Sequence, residues 1–195
     1  DISYRYGSDT VLSHFSYTFE KGFIYGITAP SGTGKTTLLN LIGNILKPAQ
    51  GEIETDFKTG IAYVFQEPEL LSQLTIAENI ALPLAAYLKK EIAFEQAISI
   101  LQKMELDGFE NRFPNELSFG QQQRAAIARA LTYPSPLLLM DEPFKGLDEA
   151  LSRRIIKRIR ERQTENGQTI LFTSHNPGEL RLFADKTVRL DPTSH

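Results

Sequence analysis

Aromatic and polar residues alternate near the start of the chain, and short apolar runs recur further along it. Residues 15–19 alternate with a period of two, which predicts a half-buried strand, and a second strand is predicted at 23–28. Apolar runs predict further strands at 61–65, 137–141, 169–174 and 187–190. Helical patterns alternate with the last three of these strands. Such alternation predicts an α/β fold with a mainly parallel sheet between helices.

The stretch between about residues 67 and 116 has a different character, because it contains no strand pattern. Thr75 and Glu78 have the spacing of a capping box, which predicts a helix running towards residue 88. A second amphipathic helix is predicted at 91–104. We therefore expect a helical insertion within a single domain.

Composition and charge exclude several classes of protein. Of the 195 residues, 41% are hydrophobic and 23% charged, as in ordinary globular domains. The formal net charge of −3 gives no reason to expect nucleic-acid binding, and the lack of cysteine excludes disulfides and thiolate metal sites. No run approaches the roughly 20 apolar residues that cross a bilayer. We therefore expect a cytosolic protein that would reach a membrane through a partner.

A glycine-rich loop follows the strand predicted at 23–28 and begins a helix predicted at 35–46. This context is the one a phosphate-binding P-loop requires, because glycines let backbone N–H groups converge on phosphate oxygens at the positive end of the helix. Lys35 is expected to neutralise the β- and γ-phosphates of ATP, and the Thr36 hydroxyl to bind Mg²⁺. Ala29 replaces the first glycine of the motif, and alanine fits only if its φ is negative. The predicted nucleotide-binding residues are Ser31, Gly32, Thr33, Gly34, Lys35, Thr36 and Thr37.

Two acidic residues follow the apolar run at 137–140, in the manner of a Walker B strand. Asp141 is expected to hold Mg²⁺, and Glu142 to polarise the attacking water. His175 follows the strand predicted at 169–174, whose end would lie at the same sheet edge as the P-loop. It is predicted to hold the water and Glu142 in register. Each of these patterns is weak alone and gains its meaning from the P-loop upstream.

The segment 117–124, Leu-Ser-Phe-Gly-Gln-Gln-Gln-Arg, resembles the LSGGQ signature of ABC-type ATPases. Further segments resemble that family's landmarks in the expected order: Tyr6 the A-loop aromatic that stacks on adenine, Gln66 the Q-loop glutamine that touches Mg²⁺ or the attacking water, 146–148 the D-loop and His175 the switch histidine. The resemblance covers nearly the whole chain. Phe119 departs from it, because a glycine is usual there; we expect its ring to point away from nucleotide and leave the site active.

The resemblance implies a P-loop NTPase core at 1–66 and 117–195, with N-terminal antiparallel β strands, and an inserted helical subdomain at 67–116. It also implies that two ATP molecules lie head-to-tail between two ATPase subunits, so the chain needs a second copy of itself or a similar chain. Ser118, Gly120, Gln121 and Asp148 would then contact the nucleotide of the partner.

The resemblance further implies work at a membrane. The segment 141–148 resembles ATPases of nitrate, sulfonate and taurine importers. An integral-membrane permease is then a partner, and the location is cytoplasmic, peripheral on the inner face of the cell membrane. Nucleic acid is not expected, because acidic residues flank the basic segment 153–160. An apolar group in the insertion would either receive the permease or pack the insertion's own core: Leu70, Leu71, Leu74, Ile76 and Ile80.

The sequence leaves two alternatives to transport. One is a soluble ABC ATPase, although Gln66 and Ser118 lie too close in sequence for the long coiled coil of DNA-repair members. The other is an ATP-binding switch that hydrolyses poorly because of Ala29 and Phe119.

Overall fold

A computed structural model describes residues 1–30, 32–56 and 60–191 of the chain. Ser31 therefore lies outside the described residues. The elements, in chain order, are β1 (Ile2–Tyr6), β2 (Asp9–Phe15), β3 (Ile24–Thr28), α1 (Lys35–Ile42), β4 (Gln50–Gly51), β5 (Ala62–Val64), α2 (Ile76–Ala81), α3 (Lys90–Lys103), α4 (Phe119–Thr132), β6 (Leu137–Met140), α5 (Glu149–Asn166), β7 (Thr169–Thr173), α6 (Pro177–Phe183) and β8 (Lys186–Arg189), with short 3₁₀ turns at Leu82–Leu84 and Pro114–Glu116.

The strands form a parallel sheet and a smaller antiparallel one. The parallel sheet has the order β5-β6-β7-β3-β8, and each neighbouring pair in it is parallel. The antiparallel sheet has the order β2-β1-β4 and is built mainly from the start of the chain. The predicted α/β class, with a parallel sheet and N-terminal antiparallel strands, is confirmed.

The two faces of the parallel sheet bury separate apolar clusters. In β6, Leu138 and Met140 enter a cluster with α2, α3, α4 and α5, whereas Leu137 and Leu139 enter a cluster with α1, β1 and β2. All four side chains are buried. Because both faces are covered, such a strand appears in sequence as a continuous apolar run rather than an alternation.

The first helix of the segment predicted as a helical insertion, α2, begins at the predicted capping box. Glu78 N–H donates to Thr75 Oγ1 at 3.3 Å, and Thr75 N–H donates to Glu78 Oε2 at 2.8 Å. The α2 helix ends at Ala81 and gives way to a 3₁₀ turn containing Pro83, so the prediction of a helix running towards residue 88 is wrong. Proline lacks the N–H that a continuing helix would need. The prediction at 91–104 agrees with α3 to within one residue.

Hydrogen bonds from side chains along α4 connect this helix to the segment 67–116. Arg124 Nη1 donates to the carbonyl oxygens of Met104 and Glu105 at 2.7 and 2.6 Å, beyond the end of α3. Arg129 Nη2 donates to Glu69 O at 2.8 Å, and Thr132 Oγ1 donates to Ile80 O at 3.0 Å. Together with apolar packing against α2 and α3, these hydrogen bonds attach α4 to the segment 67–116.

Two other predicted boundaries are wrong. The strand predicted at 15–19 is absent from the structure of the described residues, because β2 ends at Phe15. Tyr17 and Phe19 instead pack their rings against Tyr25, with centroids 6.0 and 5.0 Å away. The helix predicted at 35–46 ends at residue 42, because Asn44 adopts a left-handed backbone with φ of 57°.

The five apolar residues singled out in the segment 67–116 differ in how deeply they are buried. Ile76 and Ile80 are fully buried and pack the core, whereas Leu71 is 37% exposed and Leu70 and Leu74 are partly buried. Within the described part of the chain, none of the helices has the length and apolar character needed to span a bilayer.

Candidate functional site

The carboxyl ends of β3, β6 and β7 meet at one edge of the parallel sheet. The glycine-rich loop follows β3, Asp141 and Glu142 follow β6, and His175 lies two residues beyond β7. Because these strands are adjacent and parallel, segments distant in sequence converge at that edge. The side chains predicted to carry the chemistry are brought together by this topology.

The glycine-rich loop has the backbone that its sequence requires. Gly32 and Gly34 have φ of 80° and 89°, a left-handed region open to glycine without strain. Gly34 caps α1, and a Cβ placed on it would lie 2.6 Å from Val11 Cγ1, so a side chain is excluded there as well. Ala29 is absent from the non-glycine residues with positive φ in the described chain, so alanine fits its position.

Lys35 and Thr36 begin α1 and point into the site. The buried Lys35 ammonium donates hydrogen bonds to Ala29 O at 2.9 Å and Pro30 O at 3.2 Å, within the loop itself. The Thr36 hydroxyl donates to Asp141 Oδ2 at 2.6 Å. A cation, hydroxyl oxygen and carboxylate thus lie at the N-terminal end of α1, where the helix dipole favours anions.

Asp141 is 2% exposed, and each of its carboxylate oxygens accepts a hydrogen bond from a hydroxyl group. Oδ2 accepts from Thr36, and Oδ1 accepts from Thr173 at 2.5 Å. Thr36 and Asp141 offer the hard oxygen donors that Mg²⁺ prefers, in the number typical of sites completed by phosphates and waters. The residues present therefore fit Mg²⁺.

Glu142 adopts a left-handed backbone with φ of 44°, which is unfavourable for a residue with a side chain. Its N–H donates to Thr173 Oγ1 at 2.9 Å. Its side chain is 22% exposed, and its Oε1 lies 3.4 Å from Nδ1 of the largely exposed His175. The pair predicted to hold the attacking water is thus in contact.

Two residues at this edge escaped the sequence analysis. Thr173 contacts both acidic residues, as described. Tyr63, on β5, donates its hydroxyl to Asn40 Oδ1 at 2.9 Å, and its burial together with the charge of Asp141 raises the pKa of that hydroxyl. Its ring stacks on Phe65 with centroids 4.2 Å apart. Both residues looked in sequence like ordinary members of apolar strands.

Gln66 follows β5 and is partly buried. The preceding residue, Phe65, accepts a 3.4 Å hydrogen bond at its carbonyl oxygen from Gln123 Nε2 of α4. Gln123 is fully buried, and its Oε1 has no hydrogen-bond partner among the described residues. The segment carrying Gln66 therefore contacts the helix that begins with the signature.

The signature and the predicted D-loop touch each other within the chain. Ser118 is the N-cap of α4, forming a reciprocal capping box with Gln121. The ring of Phe119 lies against Gly146, with Lys145 Nζ 5.8 Å from the ring centroid. A Cβ on Gly120 would lie 2.8 Å from Gly146 O, so glycine is required by packing.

Asp148 and Tyr6 have their own local contacts. Asp148 caps α5 by accepting a 2.9 Å hydrogen bond from Leu151 N–H. Tyr6 ends β1, is 52% exposed, and makes an edge contact with Tyr4 at a centroid distance of 5.0 Å. Within the described residues, these contacts of Asp148 and Tyr6 lie outside the cluster around Asp141. Thr33 and Thr37 lie in the loop and the first turn of α1.

Comparison with known proteins decides the family. The sequence model of the family described as "ABC transporter" matches residues 12–145, more than half of the chain. The chain belongs to the ABC transporter family. As a member of it, this ABC protein binds ATP and is an ATPase, as the signature at 117–121 led us to expect.

Curated relatives and solved structures agree with this assignment. The ABC protein is 38% identical to "Thiamine import ATP-binding protein ThiQ" of Shigella boydii over 96% of its own length and 84% of the relative. It is also 38% identical to the protein of that name in Escherichia coli O157:H7, over 89% and 79% of the two chains. A dimeric, post-hydrolysis structure of the ATP-binding cassette MJ0796 bound to ADP and Pi superposes with a TM-score of 0.88, at 33% identity over 97% of this chain and 91% of that one. A second dimeric structure of the MJ0796 cassette gives the same TM-score at 32% identity.

Proposed function

We propose that this ABC ATPase powers import of a small solute by closing as a head-to-tail pair beneath a membrane permease. The import assignment is supported by relatives at 38% identity that are named thiamine import ATP-binding proteins. Thiamine is the first solute to test. The observation that carries the catalytic assignment is the convergence of Thr36, Asp141, Glu142 and His175 at one sheet edge.

In this proposal the loop at 32–37 wraps the triphosphate of ATP, and Lys35 exchanges its bonds to loop carbonyls for bonds to phosphate oxygens. Thr36 and Asp141 hold Mg²⁺, with Gln66 reaching the same ion or the attacking water. The ion, when bound, neutralises charge that develops on the phosphate oxygens.

Hydrolysis is assigned to Glu142 and His175. The Glu142 carboxylate orients a water molecule for attack on the γ-phosphate and accepts hydrogen bonding from it. His175, in contact with Glu142 and otherwise exposed, fixes the carboxylate and faces the terminal phosphate. Asp141 is assigned to the ion instead, because its Oδ2 accepts a 2.6 Å hydrogen bond from Thr36, the other residue proposed to hold Mg²⁺.

The second copy completes the site. Ser118, Gly120 and Gln121 at the start of α4 are proposed to receive the terminal phosphate held by the partner chain, and Asp148 to contact the same nucleotide across the pair. Tyr6 supplies an exposed ring for stacking on adenine. Two dimeric structures of one cassette with the same fold, MJ0796, support this arrangement.

The permease is proposed to dock on the helical segment 67–116 of a domain whose core is 1–66 and 117–195. Leu71 and Leu82 expose 37% and 47% of their surface there, whereas Ile76 and Ile80 are buried and unavailable. The location that follows is cytoplasmic, on the inner face of the cell membrane. No observation favours the alternatives of a soluble ABC ATPase or an ATP-binding switch that hydrolyses poorly.

The test of the catalytic assignment is Glu142→Gln. Because the amide cannot act as a base, we expect hydrolysis to fall by at least ~10²-fold while ATP binding persists. The ATP-bound pair should accumulate and appear at twice the monomer mass in light scattering. Glu149→Gln is the matched control, because Glu149 is an exposed acid at the start of α5 paired only to Arg153 among the described residues. Normal turnover by Glu142→Gln would refute the assignment.

A further inference from the structure

The hydroxyl of Thr173 lies where the two acidic residues of the site meet. Thr173 is the last residue of β7 and is fully buried. Its Oγ1 donates to Asp141 Oδ1 at 2.5 Å and accepts from Glu142 N–H at 2.9 Å. A hydroxyl group has one proton to donate and lone pairs to accept, so a single threonine can make both bonds at once.

The bond to Glu142 supports a strained backbone. A residue other than glycine with φ of 44° persists only when its surroundings fix it there. Lys145 N–H donates to Glu142 O at 3.1 Å on one side, and Thr173 accepts the Glu142 N–H on the other. The turn between them aims the Glu142 side chain at His175.

Packing alone does not call for a hydroxyl at this position. Valine has the same branched shape as threonine and is at least as favourable in a buried strand. The neighbouring positions of β7 are apolar and fully buried, including Leu171 and Phe172. A buried hydroxyl among them therefore serves its polar contacts rather than the strand.

We propose that Thr173 is a positioning residue for ATP hydrolysis. One hydroxyl holds the Asp141 carboxylate against Thr36 and sets the backbone of Glu142, so the metal-holding and water-orienting groups keep a fixed mutual geometry. This inference rests on the role proposed above for Glu142.

The first test compares Thr173→Val with Thr173→Ser. Valine keeps the shape and removes both hydrogen bonds, so we expect kcat to fall ~10-fold while the Kd for a fluorescent ATP analogue changes less than ~2-fold. Serine keeps the hydroxyl and should restore at least about half of the turnover. Thr173→Ala, which adds no volume, stands in if the valine variant does not fold. Equal losses for serine and valine would overturn the proposal.

Thr169→Val is the matched control. Thr169 lies on the same strand, is 3% exposed, and uses its hydroxyl to accept from Gly22 N–H at 3.0 Å, at the opposite end of β7. It undergoes the same chemical change away from the acidic pair. We expect a lower melting temperature with unchanged kcat, and a matching fall in kcat would show that any buried threonine on β7 gives the effect.

A double-mutant cycle separates positioning from general damage. Single-turnover hydrolysis is measured for Thr173→Val in the unmodified chain and in the Glu142→Gln chain. If Thr173 acts through Glu142, most of its effect disappears in the second background. An undiminished effect there would overturn the inference. Loss of activity in Glu142→Gln with none in Thr173→Val would refute only this inference, whereas an active Glu142→Gln would refute the proposed role of Glu142.

Discussion

Gly146 and Phe119 offer a direct test of the contact between the predicted D-loop and the signature. Gly146 has φ of 79°, and a Cβ added to it would lie 2.8 Å from Phe119 Cδ1 and 3.3 Å from Cε1. Gly146→Ala therefore carries two costs. The left-handed backbone costs about 1–2 kcal/mol with a side chain present, and displacing the half-buried ring costs about 1 kcal/mol more.

Removing the ring should cancel the second cost. Phe119→Ala alone is expected to lower the unfolding free energy by about 1 kcal/mol, because the ring is half-buried. In that background Gly146→Ala should cost only the backbone part. The two substitutions together should therefore destabilise by about 1 kcal/mol less than the sum of the single effects.

The measurement is urea unfolding followed by far-ultraviolet circular dichroism, since the chain has no tryptophan. Gly167→Ala is the matched control: its φ is 65°, but none of the described atoms lies within 4 Å of the added Cβ, so it should cost only the backbone part and show no coupling to Phe119. Additive effects of Gly146→Ala and Phe119→Ala, within about 0.3–0.5 kcal/mol, would refute the contact.

Two further predictions concern other parts of the chain. Glu105→Gln should lower the unfolding free energy by about 0.5–1 kcal/mol at neutral pH and low salt, because the partly exposed carboxylate pairs with Arg154 and Arg158. The hydrogen bond from Arg154 holds the pKa of Glu105 below its ordinary 4.5, so this contribution is complete above pH 4.5 and is lost as the pH falls through the lowered pKa; a pH-independent difference in urea midpoint would contradict it. Tyr6→Ala should weaken ATP binding about fivefold in a fluorescence titration through lost stacking, and an unchanged Kd would redirect attention to Tyr4.

Local sequence spacing predicted the parts of the site that one loop or one strand end defines. The glycines of the loop are needed at fixed offsets, so Gly32, Gly34 and Lys35 could be named before the structure. The meeting of Asp141 with Thr36 followed from the rule that carboxyl ends of parallel strands share an edge. These inferences need only the order of elements.

Other features depend on three-dimensional register and were missed. Thr173 contacts Asp141, and Tyr63 bonds Asn40 within range of the Asp141 charge, because of how β7 and β5 lie beside β6. An apolar run in the sequence does not reveal which of its hydroxyl groups will make such contacts. In the alternating segment 15–19, the rings of Tyr17 and Phe19 pack against Tyr25. Their spacing in sequence resembles that of a strand although, within the described part of the chain, they pair with no strand. The early end of α1 at Ile42 likewise depends on a single backbone angle, the positive φ of Asn44, which leaves no periodic signal in the sequence.

The hydrogen bonds from three side chains of α4 to the segment 67–116 bear on how the two would move together. Arg124, Arg129 and Thr132 span most of that helix, and each grips a backbone carbonyl of the insertion rather than a mobile side chain. We therefore expect a rotation of the segment 67–116 to carry α4 with it. Because Ser118 caps the start of α4, such a rotation would also displace the end of the helix that we propose faces the partner chain.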